Sequence, residues 1–359
     1  MAVTAQAGVF SWGPQADKGT VAATFYQHRA GNIDLAPISD DRLGPPEVGG
    51  LPTPTFPYRA GVMAVGGATL YPRLENTFGW LLEGVSGAWS VTTNQDVLDN
   101  TVTSFYHHEF TFATNAGYVP WMSFRKLIPG SDAGVTDQLG ETFIDCKVIG
   151  LALALSSEDP ISARIDVLGR TPQFSDGTAF TYSNTEFESY ESIPVGCVLN
   201  GYLQVPGFSA TELPVTAANV TIANQPLDVR QEKVYGSPYL EDVTIIGRQL
   251  TVDMVVKWTD PQLYLDILTG STTGTAWSPS PWVEDLDILA LSTGLATGTT
   301  PWQLRIEAAE VMYQVVGGIR LAANNAVMMR IQGTAIAPSS GNYYTIHLGN
   351  EHTAYTWPT

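Results

Sequence analysis

EDVTIIGRQLTVDMVVKW, residues 241–258, decides the fold class. Leu250, Val252, Met254, Val256 and Trp258 share one face, while Thr251, Asp253 and Lys257 lie opposite. A period of two belongs to a strand with one buried face and one wet face. The same pattern holds upstream. Ile161, Ala163, Ile165 and Val167 alternate with Ser162, Arg164 and Asp166, after an apolar run at 148–155 and the turn SSEDP at 156–160, which together read as a hairpin. Further strand patterns lie at 58–74, 101–113, 118–128, 196–205, 219–224, 301–315 and 326–336, with a bend expected at Gly66 and Gly67.

Two short helices interrupt the strands. NTFGWLLEG (76–84) offers Asn76 as N-cap, an apolar set of Phe78, Leu81 and Leu82, and Gly84 as a stop. TDPQLYLDILTG (259–270) offers Thr259 or Asp260 as cap, Pro261 in the first turn, then Leu263, Ile267 and Leu268 before Gly270. Residues 1–57, rich in Gly and Pro, read as an arm or long loop with one short strand near 21–27, and 129–142 as a polar loop.

Composition agrees with an all-β chain. Of 359 residues, 44% are hydrophobic and only 14% charged, so the Glu, Lys and Arg that solvate exposed helices are scarce. Seventeen Lys and Arg against thirty-five Asp and Glu give a net charge of -18, which argues against a tight grip on nucleic acid. The N-terminus has no secretory pattern and no apolar run is long enough to span a bilayer, so a cytosolic origin without membrane attachment is expected. Cys146 and Cys197 are expected to be reduced.

Both halves show a long strand, a short capped helix and two strands: 58–74 with 242–258, 76–84 with 260–270, 101–113 with 301–315, and 118–128 with 326–336. This order suggests a duplication. The expected division is a first unit at 1–140 including the N-terminal arm, a second at 141–340, and a C-terminal tail at 341–359.

Candidate chemistry is sparse. His107 and His108 are adjacent in a strand and point to opposite faces, and His347 and His352 match no strong zinc spacing. Ser123 and Lys126 form an S-x-x-K pair in a strand rather than a helix, without its partner motifs. The carboxylates Glu158 and Asp159, Glu241 and Asp242, and Glu284, Asp285 and Asp287 read as solvated turns. No catalytic, cofactor or metal site is expected, and the chain reads as a non-enzyme.

YRAGVMAVGGATLYPRLENTFGWLLEGVSG (58–87), the hairpin KVIGLALALSSEDPISARIDVLGR (147–170), and NVTIANQPL followed by VTIIGRQLTVDMVVKWTDPQLYLDILTG resemble the tail tube, or major tail, proteins of long-tailed bacteriophages with non-contractile tails. The resemblance covers roughly residues 20 to 340. It implies β-sandwich-like tube domains with a flanking helix, assembled with copies of the same chain into stacked rings around a DNA channel. With two fused units, three chains would complete a ring of pseudo-sixfold shape. Further partners implied are the tape measure, tail terminator and baseplate proteins and transiently passing double-stranded DNA, with assembly in the host cytoplasm and a final place in the virion tail.

Two other readings remain open. One is the tube of a related injection or gene transfer particle. The other is a β-sandwich carbohydrate-binding module or enzyme, in which Trp12, Trp80, Trp89, Trp121, Trp277, Trp282 and Trp302 could stack on sugars. The aromatic-dotted terminal segments supply the expected assembly contacts: Phe10, Trp12, Tyr343, Tyr344 and Trp357.

Overall fold

The computed structural model describes residues 8–358 apart from 47, 51–52, 55, 113–117, 131–137, 176–179, 184–187, 206–213, 259–260, 272–275, 318 and 320–326. The alternating stretches build one wide antiparallel sheet. Its eight principal strands run in the spatial order β5 (Pro57–Leu70), β10 (Ser162–Ser175), β9 (Leu139–Ser156), β12 (Val215–Pro226), β13 (Ile245–Lys257), β16 (Met328–Ala335), β15 (Thr300–Val315) and β14 (Val283–Thr297). Beyond β5 lie β3 (Ala30–Ile33) and β4 (Ala36–Leu43), and beyond β14 lies the short β11 (Tyr202–Gln204).

Two long strands each serve two sheets. The first part of β9 pairs with β8 (Met122–Ile128), which continues to β1 (Val9–Pro14) and β2 (Tyr26–His28), while its second part pairs with β12. Likewise β15 pairs through Gln303–Glu307 with β17 (Thr345–Asn350), which continues to β7 (Thr101–Phe112) and β6 (Gly87–Gln95), and through Val311–Val315 with β16. Register shifts opposite Asp166/Val167 and opposite Glu284/Leu286 leave an extra residue on β9 (Ile149) and on β15 (between Ala308 and Val311), beside these splits, where it lets the strand bend. The chain is mostly strand, in antiparallel sheets that do not close into a barrel on their own.

The apolar rows predicted from period two form the core. Leu70, Ala163, Leu153, Val220, Val252, Gly333 and Tyr313 are cross-strand neighbours in sequence across seven strands. All of them except the side-chain-less Gly333 belong to a single buried cluster that runs from Phe10 to Tyr355.

Helix α1 (Thr77–Ser86) is buried at all ten of its residues and packs against β1, β2, β6, β7 and β9. The resemblance implies a helix that flanks the sheets. With Phe78, Trp80, Leu81, Leu82 and Val85 distributed around its circumference, it lies instead within the core. Asn76 is the N-cap residue, but its side chain makes no capping bond; Glu188 accepts from Thr77 N at 2.7 Å and from Thr77 Oγ1 at 3.1 Å in its place. Gly84 does not stop the helix. A Cβ there would lie 2.5 Å from Met122 Sδ, so this glycine serves close packing, and Gly87, at φ 86°, ends the helix in the left-handed conformation. Helix α2 (Pro261–Thr269) buries Leu263, Asp266, Ile267 and Thr269 and ends at Gly270. Its expected caps, Thr259 and Asp260, lie outside the described residues.

Other expectations need correction. The N-terminal segment is not only an arm or loop: β1 is paired on both sides, and Phe10 and Trp12 enter the core. β6, β14 and β17 were not anticipated, and β9 begins at Leu139, inside the expected polar loop. The cluster of Glu284, Asp285 and Asp287 lies on β14 rather than in a turn, where Asp287 receives two bonds of 3.0 Å from Arg305. Residue 140 lies within β9, and 341–359 contains β17, which is hydrogen-bonded to both β7 and β15.

Candidate functional site

The wide sheet turns its second face away from the core. One row crosses all eight principal strands: Thr69, Arg164, Ala152, Thr221, Thr251, Thr334, Met312 and Val283. A neighbouring row reads Ser162, Ala154, Asn219, Asp253, Gln332 and Gln314. Apart from Met312 and Val283 these side chains are small or polar, and the two arginines on this face are matched, while Lys257 on the same face of β13 is exposed. Arg164 donates to Asp34 at 2.8 and 2.9 Å and to Asp166 at 3.0 Å, and Arg330 makes a forked pair with Asp253. The Arg164 bonds hold the Asp34 carboxyl below its ordinary range, despite an opposing desolvation effect. The result is a broad face on which both arginines are neutralised by neighbouring carboxylates.

The two margins of this sheet are partly covered edges. On one side, β4 and the first half of β5 extend as a two-stranded ribbon exposing Ile38, Leu43, Phe56 and Tyr58. A two-stranded ribbon is marginal alone in water. Here Val62 N donates to Pro238 O at 2.7 Å, and Lys233 Nζ donates to Asp40 at 3.2 Å and to Ala60 O at 3.3 Å. Hydrogen bonds from Arg42 and then Lys233 pull the Asp40 carboxyl down to about 2. On the other side β14 is covered from Asp287 to Ser292 by β11, a bridge from Pro194 to Ser292 and a 3.1 Å hydrogen bond from Val195 N to Leu291 O, and it exposes Leu295 beyond them. Exposed strand edges pair with another strand unless covered or blunted.

The aromatic residues singled out from the sequence lie elsewhere. Phe10 (1% exposed), Trp12 (0%) and Tyr344 (1%) are interior, while Tyr343 and Trp357 are half-buried against the same core. Trp12 Nε1 donates to Thr77 O at 3.2 Å, Tyr343 Oη to Ala335 O at 2.9 Å and Trp357 Nε1 to Gln15 O at 2.7 Å. Their apolar surface is therefore largely covered within one chain. The ribbon residues Leu43, Phe56 and Tyr58 escaped notice among Gly and Pro, although apolar residues beside turn residues were a legible signal.

The remaining chemical candidates have structural partners. Ser123 Oγ accepts from Ala22 N at 3.0 Å, and Lys126 pairs with Glu141 at 2.5 Å. Trp12, Trp80, Trp282 and Trp302 are buried, and Trp277 is exposed. His108 donates through Nε2 to His352 O at 2.8 Å and accepts from Trp89 Nε1 at 3.2 Å; burial pushes its pKa down to about 4. His107 and His347, which the sequence gave no reason to join, approach at 2.8 Å between Nε2 and Nδ1.

Among the described residues, neither margin of the wide sheet presents a nucleophile–base pair; what both present is partly covered strand edge beside exposed apolar side chains. No curated protein matches the chain. A family model described as phage tail tube protein matches residues 5–278, most of the chain. With that match over most of its length and a β-rich architecture, the chain belongs to the phage tail tube protein family.

Proposed function

We propose that three copies of this chain close edge to edge into a ring, that rings stack into the tail tube, and that the second face of the wide sheet lines the channel through which double-stranded DNA leaves the virion. The observation that carries this reading is the row of eight cross-strand neighbours from Thr69 to Val283. Three copies supply twenty-four strands. At about 4.8 Å between strands and a tilt of about 40°, these close into a circle about 50 Å across, wide enough for a duplex inside the lining side chains.

The surface chemistry favours passage over retention. DNA is held where Lys and Arg displace counterions at phosphates, and Arg164 and Arg330 already have carboxylate partners. Ring closure would also cover the edges at β4 and β14, converting an aggregation hazard into a closed symmetric assembly. The two-unit reading, 1–140 and 141–340, places β5 in the first unit and β10, β12, β13, β14, β15 and β16 in the second, with β9 starting at the boundary. The tape measure, tail terminator and baseplate proteins would meet the tube at its lumen and ends.

Electron microscopy of the concentrated chain tests the proposal. Hollow tubes with a wall one sheet-and-core thick are expected. Compact particles without a channel at every concentration would count against it.

A further inference from the structure

We propose that His107, Glu109 and His347 form a binding site for a first-row divalent transition-metal ion, with Zn²⁺ the natural probe. His107 and Glu109 are two apart on β7 and so face the same way, and His347 on β17 is the direct cross-strand partner of Glu109. The three ligand atoms lie 2.8 Å (His107 Nε2 to His347 Nδ1), 4.0 Å (His107 Nε2 to Glu109 Oε1) and 3.9 Å (His347 Nδ1 to Glu109 Oε1) apart. A tetrahedral ion at about 2.0–2.1 Å from each ligand needs edges of roughly 3.4 Å. The observed edges straddle that value, so shifts of about half an ångström convert the hydrogen-bonded arrangement into a coordinating one.

The surroundings suit an ion. His347 Nε2 donates to Glu307 Oε2 at 2.8 Å, which fixes the tautomer whose Nδ1 lone pair points toward His107. Glu307 is itself held by Arg305 at 2.5 Å, and Ser90 Oγ donates at 3.2 Å to Glu109 Oε2, leaving Oε1 toward the imidazoles. His107 would carry its proton on Nδ1, which lies 4.0 Å from Asp99 Oδ1. Both histidines are buried, whereas the Glu109 side chain is 41% exposed and provides the entry side. Two imidazoles and a carboxylate, with a water at the fourth position, form a donor set suited to zinc, cobalt or nickel rather than magnesium or calcium.

The ion would tie β7 to β17. Since the family match ends at residue 278, two of the groups involved, His347 and Glu307, lie beyond it. The site thus joins β7, inside the matched residues, to β17, beyond them, within one chain.

The test uses the full chain without a histidine tag, stripped with a chelator and titrated with Zn²⁺ and separately with Co²⁺. One ion per chain, a melting temperature raised by a few degrees at saturation, and the visible d–d bands of four-coordinate Co²⁺ are expected. Glu109→Gln, on the solvent side, should weaken binding by at least about 10-fold while leaving the metal-free melting temperature unchanged, and Glu307→Gln should weaken it about 10- to 100-fold. His347→Gln should remove the Co²⁺ bands. A six-coordinate Co²⁺ spectrum, or Zn²⁺ affinity unchanged in Glu109→Gln, would overturn the proposal whether or not the histidine variant folds.

Discussion

Asp145 Oδ2 lies 2.5 Å from Arg170 Nη1 at the place where β9 leaves the β8 sheet for the β12 sheet. The same carboxylate accepts from Gln15 Nε2 at 2.9 Å and Gly19 N at 2.6 Å, and Asp145 itself takes a left-handed φ of 56°. One residue therefore anchors the N-terminal segment, the strand split and the neighbouring strand. Removing one partner of a buried ion pair leaves the other charge uncompensated.

Asp145→Ala should accordingly destabilise the unassembled chain by roughly 3–5 kcal/mol. The check is a lowered urea midpoint at concentrations where no tubes form. A midpoint within experimental error of the natural chain would show that Arg170 finds adequate solvation without its partner.

Glu83 on α1 provides a pH signature. Burial pushes its carboxyl from 4.5 up to about 8, so the folded chain favours the protonated form. Its stabilising effect is complete below about pH 4.5, declines as pH rises, and is lost by about pH 8. At 1.36 kcal/mol per pKa unit the change is on the order of 4 kcal/mol. Glu188, raised to about 7 by burial, acts in the same direction. Glu83→Gln should therefore gain stability over the natural chain at pH 8, with the gain shrinking toward zero near pH 4.5. Denaturation curves at both pH values decide this, and a gain larger at the acidic end would contradict it.

Placing charge on the β4 edge should separate folding from assembly. Ile38→Lys with Leu43→Lys alters side chains that are 44% and 63% exposed, and surface changes of this kind usually move stability by no more than about 0.5 kcal/mol. The double variant is expected to melt like the natural chain yet form no tubes by electron microscopy, since edge lysines block strand addition. Normal tubes from this variant would remove β4 from the ring interface.

The face proposed to line the channel can be made adhesive. Asn219 and Gln332 both neighbour Asp253 across the sheet. Tubes of Asn219→Lys with Gln332→Lys should retain duplex DNA at low salt, each new phosphate contact adding about 0.9 to the salt slope, whereas tubes of the natural chain should not. Equal retention by both would place this face outside the channel.

The strands with one wet face were legible in the sequence because burial repeats every second residue. Ile161 to Val167 and Leu250 to Val256 enter the core as their alternation indicates. β1 was obscured by Gly13 and Pro14, and by burial on both faces, which erases alternation. β14 was obscured by its acidic start, Glu284, Asp285 and Asp287, which resembles a turn until Arg305 supplies a partner. Long-range pairings were out of reach. Glu188 caps a helix 111 residues upstream, and 240 residues separate His107 from His347. The exposed ribbon of β4 and β5 could have been suspected from Leu43, Phe56 and Tyr58, but its role as an open edge depends on β5 using its other side for β10.

Counting chains in a ring tests the central claim most directly. The mass per unit length of purified tubes, measured by scanning transmission electron microscopy and combined with the ring spacing from averaged images, gives the number of copies. Three chains per ring, with six lobes in cross-section, is the expected result, because each chain brings eight strands of the wide sheet. Six chains per ring would contradict the assignment of that whole sheet to the channel wall.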